Sequence, residues 1–171
     1  LRSSQPAERV VGPVNLRGLL DAVLQDVQGL AFEKKVSVEL AGAASVVSDT
    51  RQLKILFSNL ISNAVVYSRE GGTVEVGIEE EATRVSVRVA DHGIGISDKA
   101  LPRVFEDFYR AQEAASFNPN STGLGLAIVR QIARNLRLAI TVESKQGEGT
   151  TFHVVVPKND ERKEERPWRE S

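Results

Sequence analysis

Four short segments bring together residue types with a chemical use. In NLISNAVVYS, Asn59 and Asn63 stand four positions apart and share one face of a helix, beside its apolar stripe. Asparagine is a mediocre helix former, so a pair on an otherwise apolar helix asks for a reason. A pair of surface amides is one. The other is ligation of Mg2+, which takes hard oxygen donors and keeps phosphate and water in its shell. In DHGIGIS, Asp91 ends a strand pattern, and Gly93 and Gly95 permit a tight turn and close approach of a flat ligand. That segment is either an ordinary strand-ending turn or the place where a carboxylate, which only accepts hydrogen bonds, meets an exocyclic amino group such as that of adenine. In STGLGLAIV, Gly123 and Gly125 sit at the mouth of a helix, whose free amides and partial positive charge suit a phosphate. A glycine-rich helix start is the plain alternative. GEGTTF, which contains Thr150, reads in isolation as a hairpin connector.

Two common phosphate-binding patterns are excluded. A dinucleotide fold needs a strand immediately before the glycines and a third glycine after them, whereas a loop precedes Gly123. The Walker pattern needs a Gly-Lys-Ser or Gly-Lys-Thr run, and none follows.

The elements that must position these segments are visible in the hydrophobic periodicity. Leu16, Leu19, Leu20, Val23, Leu24 and Val27 have helical spacing, with Asn15 placed to cap them. Val36, Val38 and Leu40 alternate as a strand, and Val46 with Val47 suggests a short second one before Ser48 and Asp49 cap the next helix. From Arg51 to Ser68 the stripe Leu53, Leu56, Phe57, Leu60, Ile61 and Ala64 makes the central helix. TVEVGIEE and RVSVRVAD then form a hairpin, and a short helical piece falls near 98–104. The stretch YRAQEAASFNPNST is expected to be a mobile loop. A helix over 123–136, the strand LAITVES, a GEG turn and the strand TTFHVVVP complete the chain, and no repeat occurs.

With 171 residues and 41% hydrophobic content, one core is expected. Residues 1–12 read as a linker from a missing upstream dimerisation region, 13–157 as the folded domain, and 158–171 as a charged, disordered tail. Starting at Leu1 without Met, the chain reads as a piece of something longer. Lys plus Arg (22) and Asp plus Glu (23) leave a net charge of -1, which offers no global attraction to a polyanion, so no nucleic acid partner is expected. Without cysteine, and with two well-separated histidines, neither a disulfide framework nor a zinc site is available. No apolar run is long enough to cross a bilayer.

Singly weak, the four segments are specific in their order: paired asparagines on a helix, Asp-Xaa-Gly-Xaa-Gly after a strand, a loop, a glycine-rich helix start, and Gly-Xaa-Gly-Thr in a hairpin. As a set they resemble the GHKL ATPase superfamily. Between them, RVFEDFYR places Phe105, Phe108 and Arg110 where sensor histidine kinases have their phenylalanine box, and the resemblance covers roughly residues 14 to 157.

The resemblance implies an α+β fold, a two-layer α/β sandwich of the Bergerat type with a mixed sheet and helices on one face. It implies ATP and Mg2+ as cofactors. Carried over by motif, Asp91 would bind the adenine amino group, with Gly93, Gly95, Ile96, Tyr67 and Thr150 around the base. Asn63 would ligate Mg2+, supported by Asn59, and Thr122, Gly123, Leu124, Gly125 and Leu126 would meet the phosphates, with Arg110 at the terminal one. The loop from Tyr109 to Thr122 would be the lid. The reaction implied is transfer of the terminal phosphoryl group of ATP to a histidine. His92, read as lying within the base pocket, and His153 both fall outside the family's His-Glu or His-Asp pattern and are expected to be structural. The nucleophile would come from dimerisation helices outside this chain, and a response regulator would receive the phosphoryl group. The isolated domain would be a monomer, and the full-length protein a membrane-anchored homodimer with this domain on the cytoplasmic side.

Two positions depart from the family's habit. Val66 stands where Lys or Arg is common, and Ser121 replaces the first glycine of the Gly-Thr-Gly-Leu-Gly-Leu run. They keep open a degenerate nucleotide-binding module as an alternative, beside a GHKL-type ATPase and a serine kinase. The ATPases usually carry a Glu general base where Asn59 stands, and an amide cannot take up a proton at neutral pH.

Overall fold

The computed structural model describes residues 10–106 and 124–159. Strand β1 (Gly12–Asn15) leads into helix α1 (Leu16–Lys34), then β2 (Ser37–Ala41), β3 (Ser45–Ser48), helix α2 (Thr50–Tyr67), β4 (Thr73–Glu80) and β5 (Arg84–Asp91). A short 3-10 turn, Leu101–Arg103, is followed beyond the undescribed stretch by helix α3 (Leu124–Leu136), β6 (Ala139–Lys145) and β7 (Gly149–Pro157). The main sheet has the order β2-β4-β5-β7-β6. It is mixed, because β2 runs parallel to β4 and every other pairing is antiparallel.

Alternation explains why one face of this sheet takes the helices. Along β4, Val74, Val76 and Ile78 are buried, along β5 Val85, Val87 and Val89, and along β7 Phe152, Val154 and Val156, all in one cluster with the helical stripes. Their neighbours on the other face, Glu75, Arg88 and Glu143 among them, are polar. The result is a two-layer α+β sandwich with its core between sheet and helices. In α2 the side chains of Leu53, Leu56, Phe57, Leu60 and Ile61 are wholly buried. Each such burial stabilises by about 1.5–3 kcal/mol, so the core fixes this helix without help from its asparagines. No described helix is long and apolar enough to cross a membrane.

Most of the elements fall where periodicity puts them, and Asn15 caps α1 through a bond from the Gly18 amide (3.1 Å). The exception is β1. Gly12–Asn15, absent from the sequence reading, pairs antiparallel with β3, and Val14 is its one buried residue. Four residues with a single apolar contact leave no period to detect.

A buried polar chain ties this small sheet region to the far helix. Asp49 caps α2, Oδ1 accepting from the Gln52 amide (3.0 Å), while Oδ2 accepts from the Val10 amide (2.9 Å) and from Gln52 Nε2 (3.1 Å). Gln52 Oε1 in turn accepts from Asn135 Nδ2 (2.6 Å), near the end of α3. Burial opposes ionisation of Asp49, but the donors from Gln52, Val10 and Arg51 outweigh it and hold the carboxyl below its ordinary value. A depressed value means that this contribution is present at neutral pH and is lost as pH falls from about 4 through the folded-state value. Asp49→Ala therefore costs about 2 kcal/mol at pH 7, and denaturant melts of the two proteins converge in stability as the medium is acidified below that range. A gap that stays constant to strongly acid pH contradicts the ionic cap.

Candidate functional site

The end of β5 is built around one carboxylate. Strand alternation turns Asp91 to the helical face, where it is 9% exposed. Its Oδ1 accepts from the Gly93 amide (2.9 Å) and from the Thr150 amide (3.3 Å), so one oxygen joins the turn after β5 to the start of β7. The register of the sheet prepares this, since Asp91 stands opposite Thr150. Among the described residues no donor reaches Oδ2. Burial pushes the Asp91 carboxyl up, and the Gly93 and Thr150 amides with the neighbouring His92 offset part of the rise. A raised value on an acid marks a charge that folding disfavours: its stabilising form is the protonated one, and stability is lost as pH rises through the folded-state value. A side chain held at such a cost, with an acceptor to spare, fits a function better than a packing role.

The turn that follows is packed against protein backbone on both sides. A Cβ on Gly93 would come within 1.9 Å of the Tyr67 carbonyl oxygen at the end of α2, and one on Gly95, at φ +68°, within 2.1 Å of the Lys145 carbonyl oxygen. The two glycines thus let the turn nest between α2 and the β6–β7 hairpin, a different reason for glycine from the approach of a flat ligand. The Ile94 amide donates to the Tyr67 carbonyl (3.2 Å), and the Gly147 amide donates to the Ile94 carbonyl (2.7 Å). The Ile96 amide donates to Ser144 Oγ (2.7 Å).

A second cluster lies where α2 faces α3. Asn59 Nδ2 donates to the Ile55 carbonyl (2.8 Å) inside its own helix. A Cβ on Gly125 would sit 3.0 Å from Asn59 Oδ1 and 3.9 Å from Asn63 Nδ2. The start of α3 therefore lies against both asparagines, and glycine at 125 avoids a tight contact with Asn59 Oδ1. Asn59 and Asn63 are half-buried on the flank of the apolar stripe, as their spacing requires.

The structure thus brings Tyr67, Asp91, Gly93, Gly95, Ile96 and Thr150 into one neighbourhood, and Asn59, Asn63 and Gly125 into another. Leu126 is packed against the core rather than toward solvent. Leu124 opens α3. Arg110, Thr122, Gly123, Phe108, Ser121 and the whole expected lid from Tyr109 lie outside the described residues. His92 is corrected. Its side chain is 63% exposed and turned to Glu75, with Nε2 3.2 Å from Glu75 Oε1, away from the buried Asp91 side chain, although both residues line one open cavity. Ser144, which the sequence reading passed over, faces inward from β6 between the turn and Thr150. The alternation of β6 was its one visible signal.

Among the described residues there is no group of three or more His, Cys, Asp or Glu able to cage a metal. What the second cluster offers is neutral amide oxygen, the donor type that Mg2+ accepts when phosphate supplies the charge.

The match with known proteins agrees with this geometry. A family model described as "Histidine kinase-, DNA gyrase B-, and HSP90-like ATPase" matches residues 48–160. The phosphate regulon sensor protein PhoR of Pseudomonas aeruginosa is 34% identical over 142 residues, which is 82% of this chain and 32% of the relative. The chain spans about a third of the length of the curated relatives it matches. Among solved structures, the mycobacterial sensor histidine kinase MprB superposes with a TM-score of 0.76 at 27% identity, over 88% of this chain and 99% of that one. Full-length ShkA in complex with AMPPNP gives 0.78 at 28%, over 90% of this chain and 32% of that one. With its buried carboxylate, paired asparagines and single-faced mixed sheet, the chain belongs to the histidine kinase-, DNA gyrase B- and HSP90-like ATPase family.

Proposed function

We propose that this domain binds Mg-ATP and transfers its terminal phosphoryl group to a histidine on dimerisation helices of the full-length protein, as the catalytic part of a sensor histidine kinase. The observation that carries the reading is Asp91, a buried carboxylate with one oxygen held by two backbone amides and the other left as an acceptor. An exocyclic amino group satisfies that acceptor, and a keto group does not. Tyr67 and Ile96 flank the base. The amides at the start of α3, from Leu124 to Leu126, hold the phosphate chain, a role that the motif also assigns to Gly123, Thr122 and Arg110. Asn63, with Asn59, gives amide oxygen to Mg2+, which would neutralise charge on the phosphates.

The position of Asn59 separates kinase from hydrolase. A general base there would activate water, but an amide has no proton-accepting role at neutral pH, and the Asn59 amide nitrogen is already bonded to the Ile55 carbonyl. The nucleophile must arrive from elsewhere, which suits an external histidine. A response regulator as acceptor, a homodimer of the full-length protein and a cytoplasmic position beneath a membrane anchor belong to the same proposal, supported by the likeness to sensor proteins such as PhoR.

Asp91→Asn removes the charge and presents a donor to the base. ATP affinity falls at least tenfold, about 1.4 kcal/mol or more, while the melting temperature stays level or rises because a disfavoured buried charge is gone. Titration of a fluorescent ATP analogue and thermal melts read the two effects, and unchanged affinity rejects the pocket. The raised carboxyl adds a pH signature: in the wild type, base recognition weakens on acidification at a pH above the ordinary aspartate range near 4. Tight binding maintained down to pH 4 contradicts it. Asn63→Ala, in the full-length protein, lowers formation of acid-labile phosphohistidine by about a hundredfold, because metal-assisted charge neutralisation is worth several kcal/mol, with ATP binding in the absence of Mg2+ and the melting temperature little changed. Retained phosphotransfer with a large loss of stability assigns Asn63 to the fold instead.

A further inference from the structure

Thr150 sits beside Asp91, its backbone amide 3.3 Å from the carboxylate Oδ1 and its hydroxyl 2.8 Å from Ser144 Oγ, and on the adenine reading that hydroxyl borders the base. A hydroxyl either donates toward a ligand or turns its lone pairs to it, and the two choices select opposite ligand edges. Here the choice is settled by a third residue. Ser144 Oγ lies 2.7 Å from the Ile96 nitrogen, 2.8 Å from the Gly149 carbonyl oxygen and 2.8 Å from Thr150 Oγ1. The Ile96 amide is a donor, so Ser144 accepts there. The Gly149 carbonyl is an acceptor, so Ser144 spends its single proton there. The remaining contact is satisfied in one way: Thr150 donates to Ser144. The Thr150 proton is committed inward, and its lone pairs are what it offers the pocket.

We propose that Ser144 is a specificity-determining residue that never touches the nucleotide: by fixing Thr150 as an acceptor beside the Asp91 carboxylate, it sets the preference for a 6-amino over a 6-oxo purine. The inference rests on the adenine reading above. Two acceptors converge on the amino group, and a 6-oxo group would place a third acceptor against them, with buried lone pairs unpaired. Without the Ser144 hydroxyl, the Thr150 proton is released to rotate into the pocket and donate to a keto oxygen, so rejection of the 6-oxo base relaxes. The same hydroxyl ties the Ile96 turn to the hairpin, so loss of overall affinity alone would be ambiguous, and the ratio of affinities is the quantity that reports polarity.

The test compares ATP with inosine triphosphate, which exchanges the 6-amino group for oxygen and adds no 2-amino bulk. Dissociation constants for both are measured on the whole domain for the wild type, Ser144→Ala, Ser144→Thr, Thr150→Val and the double variant Ser144→Ala with Thr150→Val. The wild type favours ATP by about tenfold or more. Ser144→Ala cuts that ratio at least threefold, Ser144→Thr keeps it, and Ser144→Ala makes no further change to the ratio once Thr150 is valine, since the two act as one unit. Ser144→Cys, whose thiol is a much weaker hydrogen-bonding group, serves the same comparison if the alanine variant melts below the assay temperature. An unchanged ratio in Ser144→Ala or Ser144→Cys, or equal ratio changes with and without Thr150, overturns the inference and leaves Ser144 as a structural tie. Absence of any ATP preference in the wild type, or an Asp91→Asn variant that keeps it, instead removes the adenine reading on which the inference rests.

Discussion

One carboxylate oxygen holds the site in place. Asp91 Oδ1 receives the Gly93 amide from the turn that follows it and the Thr150 amide from the strand opposite, so two chain segments far apart in sequence are joined at one atom. Burial of a carboxylate is costly, and two amide bonds recover only part of that cost, which is why the group is pushed up from its ordinary range. The sheet makes the arrangement possible. Strand β5 is central in the order β2-β4-β5-β7-β6, with Ala90 paired on both sides and Asp91 paired with Thr150, which keeps its end from fraying. A precise acceptor needs a rigid mount, and a central strand is the stiffest one available.

Helix α2 meets two demands with one sequence. Its inward positions are committed to Leu53, Leu56, Phe57, Leu60 and Ile61, all wholly buried, and the flank one step around the helix carries Asn59 and Asn63. Because the apolar stripe supplies several kcal/mol of anchoring, the asparagines need contribute nothing to stability and are free to serve a ligand. The approach of α3 adds a constraint: a Cβ at Gly125 would lie 3.0 Å from Asn59 Oδ1, a contact tight enough that the amide would have to give by a few tenths of an ångström. Val66 fits the same picture. It is half-buried near the end of α2 and adds no charge to that part of the helix.

Much of this was legible in the sequence because the determinants are periodic. The stripe in α2, the alternations in β4, β5 and β7 and the caps at Asn15 and Asp49 are local patterns that tertiary packing had no cause to override. What escaped was either too short or too distant. Strand β1 offers four residues and one buried contact. The hydrogen bond between Asn135 and Gln52 spans 83 positions, and no local pattern announces it. Gly93 and Gly95 were read correctly as glycines of necessity but for a different neighbour, since protein backbone occupies the space where their Cβ atoms would be. His92 directly follows Asp91 at the end of β5, and its exposed side chain turns to Glu75 while that of Asp91 is buried.

The same geometry bears on what kind of catalyst the domain can be. Of the groups that the described residues gather at the two clusters, the Asn59 side chain is an amide, which takes up no proton at neutral pH, and its nitrogen is already bonded to the Ile55 carbonyl. On the proposed reading such a site would recognise and orient a nucleotide without providing the attacking atom. Its selectivity would then rest on the direction of a few protons, and those directions follow from counting: Ser144 has one proton and three neighbours, and the Gly149 carbonyl claims it. On the proposed reading the base would be read through a Thr150 lone pair that the Ile96 amide and the Gly149 carbonyl orient through Ser144.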